Sequence, residues 1–188
     1  MKYCSECGSD NLVHRLPEGD NKERTICDTC GHIFYHNPKI VTGCILEWQQ
    51  RILLCKRAIE PRIDFWTVPA GFLENGESVI EAAAREAKEE ACAECENLVM
   101  HSFYNIRHVN QVYILYRGSL KDGHYGVGQE SSDAKLYTEA EIPWEQIAFP
   151  VIEEALRLYF KDRSRRSYSY HEGDIYRGGD NKIQIVRY

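Results

Sequence analysis

GFLENGESVIEAAAREAKEEACA, Gly71 to Ala93, decides how this chain is read, because it sets one arginine among several glutamates in a stretch whose alanines favour helix. Glu86 and Glu90 are four residues apart, so their side chains leave one helix face about one turn from each other, roughly 5–6 Å between Cβ atoms. Glu89 flanks them, and like charges at that spacing repel. Ile80, Ala84, Ala87 and Ala91 form an apolar stripe of mostly small residues, which lets the helix lie close against a sheet and predicts that the carboxylates face an open side. A solvated helix face accounts for such a run. So does a site where a hard divalent cation with oxygen ligands turns the repulsion into binding.

The pattern as a whole resembles the Nudix box, GX5EX7REUXEEXGU with U an aliphatic residue. Gly71, Glu77, Arg85, Glu86, Glu89 and Glu90 fall on its fixed positions, and Ala87 and Ala93 on its U positions. Cys92 stands where the box has glycine. A positive φ is often wanted after a helix, so the cysteine predicts a differently shaped helix end. The resemblance covers about Lys39 to Phe160 and implies an α/β fold, an α/β/α sandwich built on a mixed sheet. It also implies an enzyme that hydrolyses a nucleoside diphosphate linked to some other group X. By the same resemblance Glu86 and Glu90 are the main ligands of Mg2+ or Mn2+, and the backbone carbonyl of Ala70 is a third. Glu89 is a further ligand or the base that orients water. Gly71, Glu77 and Arg85 belong to the structural frame, the last two as an ion pair that fixes the loop on the helix.

Eight cysteines invite a disulfide reading, but their arrangement favours a metal. Cys4 and Cys7 form one CxxC, Cys27 and Cys30 another, with nineteen residues between the pairs. That is zinc-ribbon spacing, four thiolates converging on one structural Zn2+, with Gly8 and Gly31 following the two knuckles. Thiols kept for a metal imply a reducing, cytoplasmic setting. Cys92 and Cys95 make a third CxxC that has no second pair to complete a site. Cys44 and Cys55 lie in apolar strand-like runs and read as core.

The 188 residues suffice for one ordinary domain and a small satellite. Residues 1–36 read as the ribbon, 37–161 as the hydrolase domain, and 162–188 as a tail that forms an interface. HNPK, His36 to Lys39, marks the turn between the first two. KIVTGCILEW and RILLCKRA read as a strand hairpin, FWTVPAGF as a strand leading into the box, and Glu77 to Cys92 as the box helix. LVMHSFYNI, NQVYILYRGSL and AKLYTEAEI read as further strands. PVIEEALRLYF reads as a second amphipathic helix opened by Pro150. In the tail only KIQIVRY has strand character. No apolar run reaches membrane-spanning length, and the amino-terminal stretch has no apolar region of a secretory signal. The net charge of −6 argues against nucleic-acid binding through the whole surface. Within the ribbon, Arg15, Lys22 and Arg24 are offset by Glu18, Asp20 and Glu23, so nucleic acid is not an expected partner.

A ribbon, then NPK, then a hairpin resembles the ribbon-bearing subgroup that includes NADH, FAD and ADP-ribose pyrophosphatases. The SQPWPFP signature of the NADH enzymes is absent. PWEQIAFP and HVNQVY resemble segments of the FAD and ADP-ribose enzymes, so the expected substrate is ADP-ribose or FAD, cut to release AMP. An NADH pyrophosphatase and a non-hydrolysing sensor of ADP-ribose or a dinucleotide are the alternatives. ESSDAKLY resembles a later acidic segment of such enzymes and makes Glu130 a candidate base or extra ligand, with Asp133 second. The glycine-rich loop before it is expected to let that acid close over substrate. Arg57, Arg62 and Arg107 could clamp the diphosphate, and Phe65, Trp66 or Tyr104 could stack on adenine, although core packing suits all three aromatics better. Many relatives are homodimers, which the resemblance extends to this chain.

Overall fold

The computed structural model of the chain describes residues 1–179 and 181–188. Asp180, within the expected tail, lies outside the described residues. Two compact units are present, Met1–Asn37 and Pro38–Tyr188.

The first unit is a three-stranded antiparallel sheet of β1 (Leu12–Arg15), β2 (Arg24–Cys27) and β3 (Ile33–Phe34), in that order. Its core is a small cluster of Cys4, Cys27 and Phe34, with Leu12 packed against them, and Ile26 is buried besides. So little apolar surface cannot hold 37 residues without a staple. The four sulfurs of Cys4, Cys7, Cys27 and Cys30 lie within 4.8 Å of one another, with Cys4–Cys30 at 3.7 Å and Cys7–Cys27 at 3.6 Å. A tetrahedral zinc with bonds of about 2.3 Å places its sulfurs about 3.8 Å apart, so this donor set fits zinc as it stands. Gly8 and Gly31 follow the knuckles at φ of 74° and 76°, where an L side chain would be strained. In the ribbon both arginines are spent on local pairs, Arg24 with Asp20 and Arg15 with Asp28, both at 2.9 Å.

The second unit is a nine-stranded mixed sheet between two helices. Its strands are β4 (Lys39–Trp48), β5 (Arg51–Arg57), β6 (Trp66–Thr67), β7 (Ala70–Phe72), β8 (Cys95–Ile106), β9 (Gln111–Leu120), β10 (Ser131–Tyr137), β11 (His171–Arg177) and β12 (Ile183–Arg187). The main path runs β10-β5-β4-β9-β8-β11-β12, with β6 on β5 and β7 on β4. β4 runs parallel to β9 and β11 parallel to β8, while the remaining pairs are antiparallel. β4 is buried from both sides and reads as a near-continuous apolar run for that reason. Cys44 and Leu46 pack under α1 (Val79–Ala91), and Ile45 packs under α2 (Pro150–Arg165).

α1 starts at Ser78, whose hydroxyl accepts from the Glu81 N–H while the Glu81 carboxylate accepts from the Ser78 N–H at 2.8 Å, a capping box. Its face toward the sheet is Ala83, Glu86, Ala87, Glu90 and Ala91. Ile80, expected on the inner stripe, is exposed instead. At the other end Cys92 adopts the left-handed conformation, φ 49° and ψ 28°, and its N–H reaches back to the helix carbonyls. The helix end therefore keeps the shape that glycine would take, and the expected difference in form is a difference in strain. FWTVPAGF forms two short strands, not one, because Val68 and Pro69 break it between β6 and β7. The tail is also more ordered than its sequence suggests. β11 and β12 extend the main sheet, and Arg187 forms two bonds to the buried Glu154 of α2 at 2.5 and 2.9 Å.

A left-handed L-residue costs about 1–2 kcal/mol. Cys92→Gly is accordingly expected to stabilise the protein by about 1 kcal/mol, seen as a Tm higher by about 2–4 °C. An unchanged or lower Tm would place the strain elsewhere. Chelation of zinc, worth about 10–16 kcal/mol in small ribbons, is expected to open residues 1–37 to protease while Pro38–Tyr188 resists. Equal resistance of both units after chelation would mean that the ribbon folds without an ion.

Candidate active site

A cleft of about 690 Å³ opens along the carboxylate edge of α1. Ala70, Gly71, Arg85, Glu86, Glu89, Glu90, Arg57 and Glu130 all line it, although they come from β5, β7, α1 and the loop before β10. Glu77 sits behind Arg85, outside the lining.

The two central acids are not on an open side. Glu86 and Glu90 are 8% and 6% exposed, because they share the inward stripe with Ala83, Ala87 and Ala91, while Glu89 alone stands out into solvent. A Cβ on Gly71 would land on the Glu86 carboxylate, so only glycine leaves that carboxylate its place. The Ala70 N–H donates to Glu90 Oε2 at 2.9 Å. Burial, opposed by that hydrogen bond but helped by the charges of Glu86 and Glu130, pushes the Glu90 carboxyl up to about 7. Burial raises Glu86 as well, against the pull of Arg85.

Arg85 divides its guanidinium. Nε and Nη2 form a two-pronged pair with Glu77 at 3.0 and 2.8 Å, and Nη2 also donates to the Phe72 carbonyl at 3.0 Å. Nη1 bridges Glu86 at 2.8 Å and Glu89 at 2.9 Å. The Arg85 bonds, with the Glu74 N–H, hold the Glu77 carboxyl down at about 2. Three carboxylates beside the Ala70 backbone form an all-oxygen donor set that fits a hard divalent cation.

Glu130 and Arg57 face this cluster. The Ala58 N–H donates to the Glu130 carbonyl at 2.9 Å, which fixes the loop to the end of β5. Arg57 donates from Nε to the Pro61 carbonyl at 2.8 Å and lies over the Phe149 ring at 5.2 Å. The glycine-rich loop ahead of Glu130 is fastened, not hinged. The Gly126 and Gly128 N–H groups donate to the Ala91 and Glu90 carbonyls at 2.7 and 3.0 Å, and a Cβ on Gly128 would run into the Glu89 carbonyl.

Other expected residues lie elsewhere. Arg62 covers the Phe65 ring at 5.2 Å, and Arg107 sits 3.7 Å from Asp174 and over the Tyr176 ring at 5.7 Å, so neither lines the cleft. Asp133 is exposed on β10, away from the cleft lining. Trp66 and Tyr104 are core. The aromatics at the cleft are Phe72, Tyr113 and Phe149, which sequence reading missed. Phe72 follows Gly71 on β7 and is 48% exposed, a large apolar side chain left open at the rim. A period-two reading of that strand was the available signal. Cys95 packs as a free thiol against the cluster that holds Cys44, and the Cys92 Sγ meets the Val127 carbonyl at 3.8 Å, so the third CxxC is not a unit.

Residues 2–36 match a family model described as Nudix N-terminal, a zinc ribbon, and residues 37–157 match the NUDIX domain. An NAD-capped RNA hydrolase NudC of Vibrio vulnificus (strain CMCP6) is 30% identical over 149 residues, 76% of this chain and 53% of its own length. An ADP-ribose pyrophosphatase of Methanocaldococcus jannaschii is 43% identical over 56 residues, 30% of this chain and 33% of its own. The chain spans about half the length of the NudC relatives it matches. A crystal structure of a NUDIX hydrolase from Nitrosomonas europaea superposes with a TM-score of 0.89 at 45% identity, covering 94% of this chain and 99% of that one.

Glu90 gives a stability test with a definite sign. Its folded pKa, about 7, lies above its ordinary 4.5, so the ionised carboxylate costs stability. That cost is absent below about 4.5 and complete above about 7. The protein without added divalent cation should lose stability as pH rises through this window. Glu90→Gln is expected to be more stable than the parent by about 1–3 kcal/mol at pH 8 and about equal at pH 4.5, by denaturant unfolding. A gap of the same size at both pH values would show that Glu90 ionises freely.

Proposed function

The chain belongs to the Nudix family, and on that premise we propose that it hydrolyses the diphosphate of a nucleoside diphosphate linked to X, with ADP-ribose or FAD as substrate and AMP as one product. The observation that carries this reading is the convergence of Glu86, Glu89, Glu90, Glu130 and Arg57 on one cleft.

Glu86, Glu90 and the Ala70 carbonyl would hold Mg2+ or Mn2+, with Glu89 joining them or orienting water. When bound, such a cation neutralises phosphate charge and acidifies a water. The protein does the rest. Arg57, braced by the Pro61 carbonyl and the Phe149 ring, lines the cleft and is placed to bind a phosphate oxygen there. Glu130 faces the acids from the fixed loop and takes the proton of the attacking water. The Glu77–Arg85 pair holds the loop against α1 so that Glu86 and Glu90 keep their separation. Phe72 and Phe149 offer ring faces for the nucleobase or the X group.

Eight free cysteines support a reducing compartment, and a homodimer is proposed by likeness to ribbon-bearing relatives. A second reading, NADH or an NAD-capped RNA end as substrate, is favoured by the NudC relatives alone.

Purified protein is to be incubated with ADP-ribose, FAD, NADH, NAD, an NAD-capped RNA and diadenosine polyphosphates, with and without magnesium, and AMP and its partner product quantified. ADP-ribose or FAD is expected to show the highest kcat/KM, only with the cation. Glu86→Gln and Glu90→Gln should each lower turnover by about a hundredfold or more. Preference for the RNA end would move the substrate to the second reading. Binding of ADP-ribose with no turnover of any compound would make the chain a sensor.

A further inference from the structure

Outside the cleft lining, the ladder of β8 with β9 shifts register between Met100 and Ser102. His101 therefore sits at a bulge, a device that re-aims a side chain. It is fully buried. Its Nε2 lies 3.1 Å from the Ala155 carbonyl of α2. A carbonyl only accepts, so Nε2 carries the proton and donates it. In an imidazole with its proton on Nε2, Nδ1 holds the lone pair. Among the described residues that nitrogen has no hydrogen-bond partner.

The strand beside it brings company. Parallel pairing of β11 with β8 sets His171 opposite Ser102, and the two imidazole rings stand edge to face with centroids 5.2 Å apart. Asp162, near the end of α2 and 4% exposed, accepts from the Ser169 N–H at 3.0 Å and meets His171 Nε2 at 2.8 Å. One ligand atom from each of His101, Asp162 and His171 lies within 4.8 Å of the others. Asp162 and His171 fall beyond residue 157, where the NUDIX match ends.

We propose that His101, Asp162 and His171 form a second transition-metal site, taking a zinc-class divalent cation that fastens the β11–β12 hairpin to β8 and α2. Two imidazole nitrogens and one carboxylate are the donors such an ion takes, and two nitrogens argue against magnesium. The outer hydrogen bonds are already those that orient metal ligands: the far ring nitrogen of His101 is tied to a backbone carbonyl, and Asp162 to a backbone N–H. Binding replaces the His171–Asp162 hydrogen bond with one bond from each to the ion, the ring proton moving to His171 Nδ1. The fourth position falls to water. The site is independent of the cleft and of what the cleft cuts.

The test is metal content of the whole chain after dialysis against zinc, with excess magnesium present to occupy the oxygen-lined cleft. The parent is expected to hold one zinc equivalent more than Asp162→Asn or His171→Gln. Equal zinc in the parent and both variants overturns the proposal. Should either variant fold poorly, the parent decides by cobalt titration with zinc left on the four cysteines. One equivalent is expected to give the visible bands of nitrogen- and oxygen-ligated cobalt without thiolate charge transfer. Absence of those bands also overturns it.

Discussion

α1 lies close on the sheet because Ala83, Ala87 and Ala91 take almost no room, and every distance at the cleft follows from that closeness. Short side chains of β4 reach the helix backbone itself: the Thr42 hydroxyl bonds to the Val79 carbonyl at 3.2 Å and the Cys44 thiol to the Ala83 carbonyl at 3.3 Å. At such range the helix cannot roll to carry Glu86 and Glu90 into water. They stay on the buried stripe, against the glycine of β7 and the Ala70 N–H. A larger residue at any of the three alanines would lift the helix and move both acids together.

Burying two carboxylates one turn apart sets an electrostatic problem that Arg85 solves only in part. Its guanidinium gives two bonds to Glu77 and shares a single Nη1 between Glu86 and Glu89, leaving Glu90 to the Ala70 N–H and the more distant charge of Arg57. The acid with least cationic help is thus the most buried in effect, and it rises furthest. A protein built only for stability would place an apolar residue there. Retention of the carboxylate at that position is what a cation-binding edge requires, and the strain of the cluster without an ion is the counterpart of its affinity for one.

Much of this was legible in Gly71–Ala93, since fixed spacing of charged residues survives translation into a helix face. The ribbon was legible for the same reason, four cysteines at set intervals with glycines where the knuckles turn. Spacing did not tell which way the helix faces. Ile80 looked like core and Glu86 like surface, because hydrophobicity weighs side chains one at a time, whereas the alanine stripe lets the helix sink until two glutamates are covered. Arg62 and Arg107 failed for a related reason: charge suggests phosphate, but turns the sequence does not define leave both outside the cleft lining, Arg62 over Phe65 and Arg107 beside Asp174 and Tyr176. The tail was opaque because its first strand, HEGDIYR, has few apolar residues, and what holds it is pairing with β8 and a bond from Arg187 to the buried Glu154, 33 residues away.

The loop from Lys121 to Glu130 connects these points. Its glycines look like hinges in sequence, yet two of their N–H groups cap the carbonyls that α1 leaves open at its end, and a side chain at Gly128 has no room. Because the loop supplies this cap, the helix end can tolerate Cys92 in a left-handed conformation that would otherwise fray. The same contacts fix where Glu130 enters the cleft. The acidic wall is therefore preset on both sides, by α1 and by the loop it is bonded to, and little of it can rearrange to suit a ligand. Discrimination between one X group and another then falls to the rest of the cleft lining, where Phe72 is exposed and Arg57 rests on Phe149. Differences in substrate among chains with the same box should accordingly track those three positions and not the glutamates.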